Sequence, residues 1–136
     1  MKKIVLTGAA GRLGSHLREP LSKMADQLVS TDLADEIGTL YAGESYVKAD
    51  LANLDQMVDL LKDADMVVHF GAIGDEAQFY AILQSNIVGA YNVWEAAYKN
   101  GVRRVVYASS IHAVGMHPKN EFIGTDAPHR PDTYYG

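Results

Sequence analysis

The sequence predicts an α/β fold, a doubly wound sheet of five parallel strands in the order 3-2-1-4-5. Two observations predict it. Five short apolar runs alternate with stretches of helical periodicity, the pattern that packs helices on a parallel sheet through right-handed crossovers. The first run passes directly into a glycine turn and then a helix, the opening unit of a sheet wound outward from its centre. Ligands bind such sheets at the carboxyl ends of the strands, here strands 1, 4 and 5.

The opening stretch, residues 2–15, reads KKIVLTGAAGRLGS. Ile4-Val5-Leu6 is an unbroken apolar run, as expected of a strand buried on both faces. Gly8, Gly11 and Gly14 follow in G-x-x-G-x-x-G spacing. Strand, glycine turn, helix is the context in which that spacing marks a dinucleotide site. Gly8 and Gly11 let the backbone turn tightly and approach a pyrophosphate, and Gly14 lets the helix sit close to the sheet. Unpaired N–H groups at the helix start carry about half a positive charge, which faces the phosphates. The first helix is expected over 11–24, with Leu13, Leu17 and Leu21 four apart, and Pro20 should kink or end it.

A second strand at 27–31 ends at Asp32. An acid placed about twenty residues past the turn accepts hydrogen bonds from the adenosine ribose hydroxyls. It also repels a 2′-phosphate, and no Arg follows it closely, so NAD is favoured over NADP. A third strand at 45–48 leads to Asp50-Leu51, which admits two readings. Asp50 could bond the adenine amino group with Leu51 against the ring, or cap a helix at 54–61. In that helix Leu54, Met57, Val58, Leu60 and Leu61 form an apolar face.

The fourth strand, 66–70, runs into Gly71-Ala72-Ile73-Gly74, small enough for a ligand to approach closely. His69 reads as a satisfied core histidine rather than a catalyst. A helix at 79–99 follows, with Tyr91 and Trp94 in the core or an interface. Asn86 inside it needs partners and is expected to bind the backbone of the active-site loop. Asn100-Gly101 stops this helix. The fifth strand, 103–108, ends in Ser109-Ser110, and a polar, irregular stretch runs on to Gly136. The glycine turn, the 71–74 turn and Ser109-Ser110 all fall at the expected ligand end, so they read as one site. His112, His117 and His129 are spaced five and twelve apart. That spacing fits no compact ligand motif, and no metal is expected.

Composition excludes several classes. A chain of 136 residues suffices for one domain with a core. With 48% hydrophobic and 21% charged residues it is an ordinary globular chain. A net charge of −5, with no long basic run, argues against nucleic acid as a partner. The absence of cysteine excludes disulfides and thiolate chemistry. No apolar run reaches the roughly 20 residues that span a bilayer, and the chain starts as a strand and not as a leader. No membrane partner is expected, and a cytoplasmic location is the default.

Together, T-G-A-A-G-R-L-G at 7–14, Asp32, Asp50-Leu51, H-F-G-A at 69–72, Asn86, Ser109-Ser110 and Tyr135-Gly136 resemble the extended short-chain dehydrogenase/reductase family. The resemblance covers the whole chain and implies a Rossmann-like, NAD-binding domain over 1–136. Within the family, the segments at 82–92, 108–115 and 130–136 are most similar to the uronate dehydrogenases. Those enzymes oxidise glucuronate or galacturonate at C1 to the aldaro-lactone and reduce NAD. The resemblance implies cofactor contacts from Gly8, Ala10, Gly11, Arg12, Leu13, Gly14, Asp32, Leu33, Asp50, Leu51, Phe70, Gly71, Ala72, Asn86, Ala108 and Tyr135. It implies Tyr135 as catalytic base and Ser110 as the group that bonds the C1 hydroxyl. Ser109, Ser110, Ile111, His112, Ile73 and Gly74 would face the sugar acid. A free phenol titrates near ~10, so such a base needs a neighbouring cation, which the family supplies as a Lys four residues on.

Three departures qualify the likeness. The family's Lys would fall at position 139 and its substrate-binding region later still, with an Arg for the uronate carboxylate. Ile111 stands where uronate dehydrogenases tend to have Asn. Gly74 stands where they tend to have Ser. The chain is therefore expected to bind NAD weakly and to turn over poorly by itself. Two alternatives stand beside this reading: a nucleotide-sugar epimerase or dehydratase of the same family, and a non-catalytic NAD-binding protein. The helix at 79–99 is a candidate surface for a homo-oligomer, or for a C-terminal segment.

Overall fold

The computed structural model describes residues 1–136. Strands β1 (Lys3–Thr7), β2 (Gln27–Asp32), β3 (Glu44–Lys48), β4 (Met66–His69) and β5 (Arg104–Tyr107) form one sheet in the order β3-β2-β1-β4-β5. All four pairings are parallel. The order reverses between β1 and β4, which opens a crevice at their carboxyl ends.

The central strands read as unbroken apolar runs because helices cover both faces. Ile4, Val5 and Leu6 are fully buried. Val5, Val29 and Val67 point into one layer with Met57, Leu61, Val93 and Ala96. Ile4, Leu6, Leu28 and Val68 point into the other with Leu21. Each such side chain contributes about 1.5–3 kcal/mol when removed from water. By contrast β5 has one strand neighbour and stays largely exposed, with Val106 and Tyr107 each nearly half accessible. No helix is long and apolar enough to cross a membrane.

Helix α1 (Arg12–Ser22) ends two residues past Pro20. Of its three leucines, Leu21 is buried, but Leu13 is 62% exposed because it lies at the mouth of the crevice. Helix α2 (Leu54–Leu60) is capped by Asn53, whose side chain accepts the Gln56 amide at 3.1 Å. This corrects the cap reading of Asp50, whose carboxylate instead closes a tight turn onto the Ala52 amide at 2.9 Å.

The expected helix at 79–99 is helical throughout but not uniform. It comprises α3 (Phe79–Ile82), a π-helical segment (Leu83–Val88) and α4 (Gly89–Lys99). Tyr91 and Trp94 are exposed, so they do not belong to the core. Ile87 and Tyr98 are exposed as well, and the Trp94 ring lies 6.2 Å from that of Tyr107 on the edge strand β5.

One polar cluster is built into the core. Arg18 of α1 and Glu44 of β3 form an ion pair at 2.7 Å, their side chains 7% and 0% exposed. Ser30 donates to Glu44 at 2.6 Å, and the Tyr41 amide donates at 2.9 Å. Burial pushes the Glu44 carboxyl up, but the bonds from Arg18, Ser30 and Tyr41 outweigh it and leave the group below the usual range. A buried pair of this kind is tolerable only when its remaining donors are satisfied. Here Arg18 also donates to the carbonyls of Ile37 at 2.6 Å and Thr39 at 2.8 Å.

Candidate active site

The first wall of the crevice is the glycine turn. Gly8 takes φ +73°, and a Cβ there would lie 2.6 Å from the Gly71 amide nitrogen. Gly14 presses against the carbonyl of Gly8, whose carbon would lie 2.7 Å from a Cβ. The turn is closed by the Gly11 amide donating to Gly8 O at 3.0 Å. Helix α1 then begins after Gly11, its N-cap residue, with no side-chain cap and no acid in its first turn. The amides of Arg12, Leu13 and Gly14 consequently make no hydrogen bond, and all three residues line the crevice. Three free amides at the positive end of a helix can receive an anion.

Asp32 closes the far side of the turn. Its carboxylate accepts the Ala10 amide at 2.9 Å, the Leu33 amide at 2.8 Å and the Ala34 amide at 3.3 Å. Ala10 therefore contributes its backbone to Asp32. Leu33 is 62% exposed beside it. Asp50 is exposed. Leu51 is half-buried, and its carbonyl accepts from buried Asn92 at 2.8 Å. Its side chain fills the space that a Cβ on Gly71 or Gly89 would need.

The second wall is the end of β4. His69 is buried, with Nδ1 2.6 Å from the Thr7 hydroxyl, which also accepts the Gly71 amide at 3.0 Å. A hydroxyl has one proton. If Thr7 donates it to Nδ1, the Thr7 hydroxyl is satisfied both as donor and as acceptor, and the ring proton sits on Nε2. Burial lowers the His69 pKa to about 4, so the ring is neutral near pH 7. Beyond it, Phe70, Gly71, Ala72 and Gly74 line the crevice. Ile73 does not, because Asn86 holds its backbone from both sides: Oδ1 accepts the Ile73 amide at 2.8 Å and Nδ2 donates to its carbonyl at 3.0 Å.

The third wall follows β5. Ala108, Ser109 and Ser110 line it, facing Tyr135 from the end of the chain. Ser110 Oγ accepts the His112 amide at 3.2 Å and so caps a 3-10 turn (Ile111–Val114). That bond uses Ser110 as acceptor and leaves its proton free to donate. Ile111, the first residue of the turn, is 82% exposed and lies off the crevice, which corrects its expected place in the substrate wall. His112 also lies behind the wall. Its Nδ1 bonds Asp132 at 2.9 Å, its ring sits edge-on to Tyr135 at 5.6 Å, and the Asp132 carboxyl is held below its usual range by that hydrogen bond. The Tyr135 amide donates to Glu76 at 3.0 Å, and Tyr134 packs on Phe79 at 5.4 Å, which fixes the chain end across the crevice.

The three walls enclose one cleft of about 680 Å³. It joins Gly8, Gly11, Arg12, Leu13 and Gly14 with Phe70, Gly71, Ala72, Gly74, Asn86, Ala108, Ser109, Ser110 and Tyr135. His69, Asp75, Tyr107, Ala113 and Gly136 also line it, and sequence reasoning did not place them there. Tyr107 alone could have been found, as the residue before the expected end of strand 5. The three histidines of the chain's end do not converge, since His117 bonds the Pro128 carbonyl at 2.9 Å and His112 bonds Asp132.

The chain resembles known proteins along its length. The profile of the NAD dependent epimerase/dehydratase family matches residues 4–136. A uronate dehydrogenase of Agrobacterium fabrum (strain C58) is 44% identical over 136 residues, covering 100% of this chain and 51% of that protein. A uronate dehydrogenase of Pseudomonas syringae pv. tomato is 40% identical over 134 residues, covering 98% and 49%. The solved structure of a tyrosine-to-alanine mutant of the Agrobacterium tumefaciens uronate dehydrogenase, complexed with NAD, superposes with a TM-score of 0.94 at 41% identity, covering 99% and 51%. The chain spans about half the length of the curated relatives it matches.

Proposed function

The chain belongs to the NAD dependent epimerase/dehydratase family, and from that premise we propose that it forms the cofactor-binding portion of an NAD-dependent uronate dehydrogenase. The observation that carries the proposal is the union, in one cleft, of three free helix-start amides with Ser110 and Tyr135. The residues present fit NAD. The amides of Arg12, Leu13 and Gly14 would take its diphosphate, in a cradle where neither Gly8 nor Gly14 leaves room for a Cβ. Asp32 would accept the adenosine ribose hydroxyls while its three amide bonds hold it in place. A fixed carboxylate there disfavours a 2′-phosphate by like-charge repulsion.

When bound, NAD supplies the hydride acceptor for oxidation of the sugar acid at C1. The chain's own groups manage the proton. Ser110 donates to the C1 oxygen, since the His112 amide occupies only an acceptor site and leaves the hydroxyl proton free. Tyr135, which lines the same cleft, would take the C1 hydroxyl proton, given the neighbouring cation that a phenol needs to act as a base. His112, backed by Asp132, supports the Tyr135 ring edge-on and keeps the phenol in the cleft. Asn86 sets the 71–74 turn by gripping Ile73 and so shapes the wall opposite Ser110. General-base transfer of this type contributes on the order of 10²–10⁴ in rate.

The test is direct. Titration of the chain with NAD and with NADP by calorimetry should show binding of NAD and much weaker binding of NADP. The complete gene product, given NAD and glucuronate or galacturonate, should form NADH in net amount. Interconversion of a UDP-sugar without net NADH would replace this reading with an epimerase. NAD binding with neither activity would leave a non-catalytic NAD-binding protein.

A further inference from the structure

We infer that Arg18 is a positioning residue for the adenosine end of the cofactor, acting through the loop at 33–43 on Asp32. The inference rests on the NAD reading above and goes beyond it. Asp32 ends β2, and the loop that follows supplies two of the three amides fixing its carboxylate, those of Leu33 and Ala34. No backbone–backbone hydrogen bond involves residues 33–40. Side chains hold this stretch instead. Tyr46 donates to the Ala34 carbonyl near its start. Lys48 pairs with Asp35 at 2.5 Å on the exposed surface, where such a pair holds little. Further along, the Ile37 side chain packs on the core, and two guanidinium bonds hold the carbonyls of Ile37 and Thr39 at 2.6 and 2.8 Å.

Arg18 can serve as an anchor because it is itself fixed. Its Nε and one terminal nitrogen grip the two Glu44 oxygens at 2.7 and 3.0 Å, and its guanidinium lies 5.4 Å from the Tyr41 ring centre. The planar fork therefore spans a carboxylate on β3 and two loop carbonyls at once, which an ammonium cannot do. Helix α1 thus has two functions. Its first turn offers amides to the diphosphate, and Arg18 carries the loop that orients the ribose acceptor. The same two loop bonds also satisfy the buried guanidinium, so the positioning role is separated from the stabilising one by the ligand split below.

Arg18→Lys separates the two roles: the charge opposite Glu44 remains, and the loop carbonyls lose their donors. The chain and this variant are titrated with NAD, NADP and nicotinamide mononucleotide, and amide exchange is followed at 33–40. The expected result is faster exchange confined to the loop, an NAD affinity about tenfold weaker, corresponding to one lost charge-assisted bond, a narrower preference for NAD over NADP, and unchanged binding of the mononucleotide. A double variant, Arg18→Met with Glu44→Leu, refills the site with apolar groups and should show the same split if the single variant fails to fold. Undiminished NAD affinity in a folded variant, or equal loss for NAD and the mononucleotide, overturns the inference. Failure of the unaltered chain to bind NAD overturns the functional reading, and this inference with it.

Discussion

Replacing Gly14 with alanine adds one methyl group where the structure has no room for it. The new Cβ would lie 2.7 Å from the Gly8 carbonyl carbon and 3.1 Å from Ala9 Cα, inside the shell of the carbonyl oxygen. Carbon atoms pack at about 3.5–4.0 Å, and the Gly8 carbonyl oxygen is nearer still, so α1 must retreat from the turn by more than about 1 Å. All the blocking atoms are backbone, so no side chain can yield. Overpacking of this kind costs about 1–3 kcal/mol. For a chain of this length about 3–4 °C of melting temperature correspond to each kcal/mol, so a fall of roughly 7 °C is expected. The retreat also moves the three free amides away from the diphosphate. Losing the alignment of one charge-assisted bond, about 1.5–3 kcal/mol, weakens NAD binding by at least about tenfold. Gly74→Ala is the control, since a Cβ there meets nothing within 4 Å. Thermal melts and NAD calorimetry on both variants decide the matter. A Gly14→Ala chain that melts and binds like the unaltered one would refute the reasoning.

Other consequences follow from single residues. Burial holds His69 at about 4, against ~6.5 in an unfolded chain. Between those values the unfolded state binds the extra proton. Stability from this group is therefore fully present above pH 6.5 and is lost as pH falls toward 4, about 3 kcal/mol in all. Urea unfolding across that range should show the His69→Asn variant with a shallower slope than the unaltered chain, and equal slopes would contradict the assignment. In the complete gene product Tyr135→Phe should lower kcat by about 10²–10⁴ and leave NAD affinity within about threefold, because its amide bond to Glu76 persists. Gly74→Ser places a hydroxyl in open space on the cleft wall. It should change stability by less than about 0.5 kcal/mol and lower KM for the uronate, while a raised KM would place the sugar elsewhere.

The sheet was legible in the sequence because buried parallel strands are contiguous apolar runs, and Ile4-Val5-Leu6 and Met66-Val67-Val68 declare themselves as such. The glycine turn was legible because close backbone approach admits no other residue. The bonds of Asn86 to Ile73 were in view because a polar amide within an apolar helix must find partners. The π-helical segment was not, since six residues are too few to separate its period from that of an α-helix. Arg18 carried no signal in the sequence; its partners, Glu44 and two loop carbonyls, are set by tertiary packing across 26, 19 and 21 residues. Ile111 went astray for a local reason. Ser110 starts a new turn after β5, and that turn carries the next side chain outward. His69 was rightly read as a satisfied core histidine, but its place at the junction of β1, β4 and β5 also puts it on the cleft, which no local pattern encodes.

The central claim is that the uncapped start of α1 holds the cofactor's diphosphate. Nitrogen-15 spectra of the chain, recorded during titration with NAD and then with inorganic pyrophosphate, test it at atomic level. The amide signals of Arg12, Leu13 and Gly14 are expected to move furthest with both ligands, and those of Leu33 and Ala34 to move with NAD alone. Saturable NAD binding that leaves the three helix-start amides unmoved would contradict it.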